Sequence, residues 1–260
     1  MNQINRLLAT ACQSHLLAQK WLLAPSLRVG HQWMDAVVRG GQPAVNVRVN
    51  TVKGFALDLA APEMAAKGAT LIAADGAAIL VDAVASRLLQ GKSAYLSNLQ
   101  PSAGLSQTML SAIETIRLAG IDTKTLRPDA FEVVAKAKDV GRLLQEYLQQ
   151  LDAMGLMDYA AVLRMAKNRL KTDPLALAAD AMVLVPDDLE LTALERDLLD
   201  ALPKEKVVVL GVDQPMTLPG DGKKTLPDSM LLRSLPSPAK APAPKNDGTA
   251  EIFRAIGEVN

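Results

Sequence analysis

Runs with strand character bracket a long middle stretch of purely helical periodicity, and few folds accommodate that arrangement. Residues 2–19 place Ile4, Leu7, Leu8, Ala11, His15 and Leu16 at helical spacing, which predicts an amphipathic helix. The run WLLA at 21–24, stopped by Pro25, reads as a buried strand. Ser26 is placed to cap a helix over 27–39, closed by Gly40 and Gly41. Residues 45–51 alternate β-branched and polar side chains as a second strand does, and 52–60 read as a short helix. An αβαβα order with short connections predicts a parallel sheet covered by helices.

From 75 to 170 only helices are expected. They span 75–90, then a segment from Pro101 at the first turn to Ala119 before Gly120, then 131–153, then 158–170 with Asp158 as cap. Strand character returns at 181–185, is followed by a helix at 191–201, and comes again at 206–211. These late runs are continuously apolar, as strands buried on both faces are. The expected fold class is therefore α/β, with an inserted all-α subdomain. Residues 1–62 and 176–260 would form the core and 63–175 the insertion, with a loop or linker over 214–247 inside the core. That linker holds seven of the 15 prolines and no apolar periodicity. Residues 250–256 alternate like a further strand, and a chain stopping directly after a strand is expected to be a piece of a longer protein.

Composition removes several function classes. The 28 basic and 28 acidic residues cancel, so binding driven by overall positive charge is excluded, while a local basic groove is not. Aromatic residues make up 3%, too few for a broad base-stacking platform. One cysteine, Cys12, forbids an internal disulfide and fits a cytoplasmic location; with two histidines, His15 and His31, it argues against zinc. No apolar run reaches membrane-spanning length, so no membrane partner is expected.

No motif supplies a complete catalytic set. GDGKKT at 220–225 has the Gly-Lys-Thr of a phosphate loop but lies in the proline-rich stretch, without its first glycine or flanking strand and helix. Gly91-Lys92-Ser93 also lacks an upstream strand. Asp187 and Asp188 follow a buried strand, where a nucleotide hydrolase holds Mg²⁺; with Glu190 they also suit the start of the next helix, whose dipole favours negative charge. Arg28 and His31, with Arg39 further along, share the helix after the first strand, and Arg48 and Lys53 flank the second strand. Strand ends of this kind hold ligands in open α/β sheets, and phosphate contact or a plainly solvated face both fit these residues. Trp33 reads as a core anchor. Neither a nuclease acid/acid-x-Lys pair on adjacent strands nor a G-x-S-x-G elbow is present, and Asp213 has no partner of that kind.

The segments, taken in order, resemble the nuclease-bearing B subunit of AddAB-type helicase–nucleases. KWLLAPSLRVGHQWMDAVVRGG (20–41) and VNVRVNTVKGFALDLA (45–60) resemble that family's early strand, helix, strand and short helix. SQTMLSAIETIRLAG (106–120), with Ile121 after it, and KAKDVGRLLQEYLQQLDAMGLMDYAAVLRMA (136–166) resemble its helical segments. AMVLVPDDLELTALERDLLDALPKEKVVVLGVD (181–213) resembles its degenerate Walker B strand and the elements that follow; EIFRAIGEVN (251–260) resembles the segment before a later helicase motif. The resemblance implies a RecA-like (P-loop NTPase-like) core with a 1B-type helical insertion, and a PD-(D/E)XK nuclease beyond Asn260. It also implies a DNA-repair exonuclease acting on double-strand-break ends with a helicase partner subunit.

One departure matters. Residues 1–20 hold no GxGKT loop, so ATP and Mg²⁺ binding are expected to be lost and no cofactor is expected. The resemblance places Thr51 where helicases contact single-stranded DNA and gives Asp187 and Asp188 the degenerate Walker B position. The resulting expectation is a catalytically inactive, DNA-contacting scaffold with Arg28, His31, Arg48, Thr51 and Lys53 on the DNA side. An active ATP-dependent translocase and an α/β protein-interaction module without nucleic-acid binding are the rivals.

Overall fold

The computed structural model describes residues 3–90, 95, 96, 99 and 102–211. In chain order its elements are α1 (Gln3–Ser14), β1 (Lys20–Leu23), α2 (Leu27–Arg39), β2 (Val47–Asn50), α3 (Val52–Lys67), β3 (Thr70–Leu71), α4 (Ala74–Gln90), α5 (Ala103–Leu118), α6 (Val134–Ala153), β4 (Leu156–Met157), α7 (Tyr159–Thr172), β5 (Met182–Pro186), α8 (Ala193–Leu199) and β6 (Val207–Leu210). Four strands form a parallel sheet in the order β2-β1-β5-β6. The fold class is α/β.

β1 is buried at every position because helices cover both faces of its sheet. Successive side chains on a strand point to opposite faces. Trp21 and Leu23 accordingly join Val183 in one apolar cluster under α3, α7 and α8, while Leu22 and Leu184 join α1 and α2 in another. Each of these fully buried leucines contributes about 1.5–3 kcal/mol relative to exposure. Gly30 of α2 lies against Val49, where an added Cβ would collide; the glycine lets the helix approach β2 closely.

A third cluster belongs to the middle of the chain. Val81 and Val84 of α4, Ile113 of α5, and Leu144 and Tyr147 of α6 pack together. α7 does not join it. Its Val162, Leu163 and Ala166 enter the sheet cluster beside Phe55, Leu59 and Ala60 of α3. The expected caps form: Ser26 accepts from Val29 N–H and Asp158 from Ala161 N–H; Ser102, not foreseen as a cap, accepts from Leu105 N–H.

Several expectations change. The short helix over 52–60 continues to Lys67 through Pro62. Proline removes one backbone hydrogen bond there, but Leu59, Ala60 and Met64 are buried on the same helix, and that packing outweighs the loss. Gly68 then ends it at φ +63°, a left-handed conformation that glycine adopts without steric cost. The middle is not helical throughout: β4 pairs in parallel with β3. Two residues are too few to show a period. α1 stops at Ser14, so His15 and Leu16 lie beyond it and are exposed. The third middle helix begins at Val134 after a 3₁₀ turn at Pro128–Ala130, and α5 begins at Ala103, after Pro101. β6 is not buried on both faces: Val209 is 62% exposed, and among the described residues β6 is the edge strand of the sheet. Trp33 is half-buried against the α1–α2 cluster. The linker at 214–247, the strand expected at 250–256, GDGKKT, Gly91-Lys92-Ser93 and Asp213 lie outside the described residues.

Candidate functional site

A parallel sheet presents all its carboxyl ends to one side. From β1 the chain crosses to β2 by α2 on one face; from β5 it crosses to β6 by α8 on the other. The chain therefore leaves β1 and β5 in opposite senses, and a crevice opens between their carboxyl ends, the position where open α/β sheets bind ligands. A cleft of about 640 Å³ lies there. Its walls come from the ends of β1 and β2 (Ala24, Pro25, Thr51, Val52, Lys53), from Tyr159, and from the segment after β5 (Asp188, Leu189, Glu190, Glu195).

Local chemistry sets each wall. Thr51 is the N-cap of α3 and its Oγ1 accepts from Gly54 N–H at 3.1 Å. Asn50 accepts from Thr51 N–H at 3.0 Å and donates to Asp58 at 3.0 Å. A Cβ at position 54 would strike the Asn50 carboxamide where it now lies and force it to shift. Lys53 extends over the Tyr159 ring, with Nζ 5.5 Å from the centroid. Tyr159 donates its phenol proton to Glu195 at 2.8 Å, and the other Glu195 oxygen accepts from Thr192 N–H and Oγ1 at 2.9 and 2.8 Å. Burial, then the hydrogen bond to Glu195 and its charge, hold the Tyr159 phenol far above its ordinary pKa. It stays a donor at any physiological pH.

The structure thus brings Thr51, Lys53 and Asp188 into one cleft. Arg28 and His31 are exposed on α2 and do not line it. Arg48 lies on β2 with its guanidinium 4.9 Å from the ring centroid of Trp21, its register partner on β1. Asp187 sits in the turn after β5, its N–H bonded to Leu210 O at 3.1 Å. The start of α8 is closed by a Thr192–Glu195 capping box, so neither Asp187 nor Asp188 falls in its first turn. Tyr159 and Glu195 were not legible as site residues, because α7 and α8 reach this cleft only through tertiary packing.

The turn between β1 and α2 is a strand-to-helix turn at the carboxyl edge of the sheet. It comprises residues 24–26 only. Ala24 N–H is bonded to Asn50 O at 2.8 Å, Pro25 has no N–H, and Ser26 Oγ takes the Val29 N–H. Of the amides here, those of Ala24 and Val29 are already bonded and Pro25 has none, so this short turn offers fewer donors than a glycine-rich phosphate loop. Among the described residues no cluster of three or more His, Cys, Asp or Glu is placed to hold a metal ion, and no helix is long and apolar enough to cross a membrane.

The chain matches no known family model, and no curated protein sequence matches it.

Proposed function

We propose that this chain is a catalytically silent, helicase-like module with a RecA-like core, which guides a nucleic-acid strand past the carboxyl edge of its sheet inside a DNA-end-processing exonuclease. The observation that carries the reading is the meeting of Thr51 and Lys53 at the crevice between β1 and β5. A helical segment set between the second and third sheet strands, and a short β1–α2 turn without the glycines of a phosphate loop, agree with it. The cleft is divided in charge. Lys53 stands on the β1–β2 side, with Arg28 and His31 exposed on the neighbouring α2; Asp188 and Glu190 stand on the β5 side. Phosphates would follow the first side and avoid the second. A partner helicase subunit would supply the ATP-driven movement.

Fluorescence anisotropy of single-stranded DNA across a salt series tests this. Replacing Arg28, His31 and Lys53 by alanine should weaken binding and flatten the salt dependence, each lost phosphate contact lowering the slope by about 0.7. Unchanged affinity and slope at matched salt would remove the assignment. The acidic half of the cleft favours one second reading, a protein-interaction module recognising a basic segment. Stable capture of a basic peptide by a chain that ignores DNA would support it. Saturable ATP binding would instead support a translocase.

A further inference from the structure

A second cavity, of about 220 Å³, lies among α4, α5, α6 and the start of α7, and shares Lys53 and Tyr159 with the cleft. A single water needs only about 10–15 Å³ of such space, so this void has room for several waters or for one small ligand. It is smaller than the roughly 300 Å³ at which sites for drug-sized ligands begin. Its apolar walls include Ile72, Ala77 and Leu118.

The polar groups facing it are mostly donors. Arg117 is 4% exposed; its Nε and Nη2 donate to the two oxygens of Asp158 at 2.7 and 3.0 Å, and its Nη1 bonds to no described residue. Tyr147 is 1% exposed, and its hydroxyl has no hydrogen-bond partner among the described residues. Burial first, then the charges of Asp158 and Glu114, hold that phenol far above its ordinary pKa, so it keeps its proton. Lys53 stands where the cavity meets the cleft and has no carboxylate partner among the described residues. Arg117 and Tyr147 both line the void, where water or an acceptor on a ligand can pair these donors.

We propose that this cavity is a binding site for a small organic monocarboxylate. The carboxylate accepts from Tyr147 and from the unused amine of Arg117, a group shaped for planar oxyanions. Asp158 already neutralises Arg117, so Lys53 at the mouth supplies the countercharge, opposed by Glu114 at the exposed rim. One carboxylate fits this balance better than a phosphate dianion. A short apolar tail lies against Ile72 and Leu118.

The test is a titration of the full chain at constant ionic strength with acetate, butyrate and benzoate, followed by ¹H–¹⁵N correlation spectra. Saturable shifts are expected for the amides of Ala74, Ala77 and Ala160 and for Arg117 Nε–H, with butyrate or benzoate tighter than acetate. Tyr147→Phe should weaken binding about tenfold or more. The exposed Lys53→Gln, which leaves the fold intact, should weaken it about two- to fivefold, and Ala77→Leu should abolish it by filling the void. Absence of saturable shifts in the wild-type chain would overturn the proposal, as would Lys53→Gln and Tyr147→Phe both binding as wild type, or inorganic phosphate binding as well as the carboxylates. Because no nucleic acid is present, the outcome is independent of the DNA reading.

Discussion

The two ends of the same sheet are built on opposite principles. At the amino end Lys20, the first residue of β1, is fully buried. Its ammonium donates to the carbonyls of Leu16, Ala18 and Val45 at 3.3, 2.7 and 3.2 Å, and so ties the approach to β1 to the approach to β2. Cys12, nearby in α1, is also buried, and desolvation raises its pKa against the pull of Lys20, leaving an unreactive thiol. At the carboxyl end Lys53 is exposed, rests on an aromatic ring and faces an open cleft. One lysine spends every donor on its own backbone; the other keeps its charge available. Parallel strands make the ends inequivalent, since α2 and α3 both begin at the carboxyl end and bring capped N-termini there. Closure at one end and opening at the other locate the site more firmly than any single motif.

Each prediction bears on that contrast. Lys20→Met keeps the bulk but leaves three carbonyls without their donor, and should cost about 2–3 kcal/mol in a urea melt. Unchanged stability would break the picture of a sealed amino end. Thr51→Ala removes the α3 cap and should cost about 1 kcal/mol by the same measurement. Alkaline pH acts on the cleft and the cavity beside it. Tyr159 and Tyr147 have folded pKa values raised above the ordinary 10.0. The folded state therefore binds more protons above pH 10.0, and stability should fall as pH rises from there through the folded pKa values. Tyr159→Phe should flatten that fall, as seen in denaturant midpoints measured from pH 8 to 11. The smallest expected stability effect is for Lys53→Ala, within about 0.5 kcal/mol, because the side chain is exposed. If it instead destabilised as much as Lys20→Met, Lys53 would be a structural residue and the contrast would vanish.

Much of the fold was legible because local rules and tertiary packing agree. Ser26, Asp158 and the glycine after α2 mark helix ends by chemistry that acts within one turn. Where they disagree the reading stopped short. Pro62 signals a helix end, yet α3 continues, because the buried face around Leu59 and Met64 lies under the sheet against α7. The β3–β4 pair had no signal, since four residues in two places acquire strand geometry only by meeting. Thr51, Lys53 and Asp188 were readable as strand-end residues, and they converge. Arg48 was readable by the same rule and stacks on Trp21 outside the cleft. Strand-end position alone cannot tell which face a side chain takes.

By itself, then, the amino-acid sequence determined the succession of helices and sheet strands, the Ser26 and Asp158 caps and the α/β class, because periodicity and capping are local properties of a chain. Only the tertiary structure decided that β1 lies between β2 and β5, that Tyr159 and Glu195 complete the cleft, and that Arg117, Asp158 and Tyr147 meet around a void. Those contacts join residues about 160 positions apart, such as Leu22 and Leu184. Nothing in either local segment encodes them; they arise when apolar faces from distant parts of the chain are buried together.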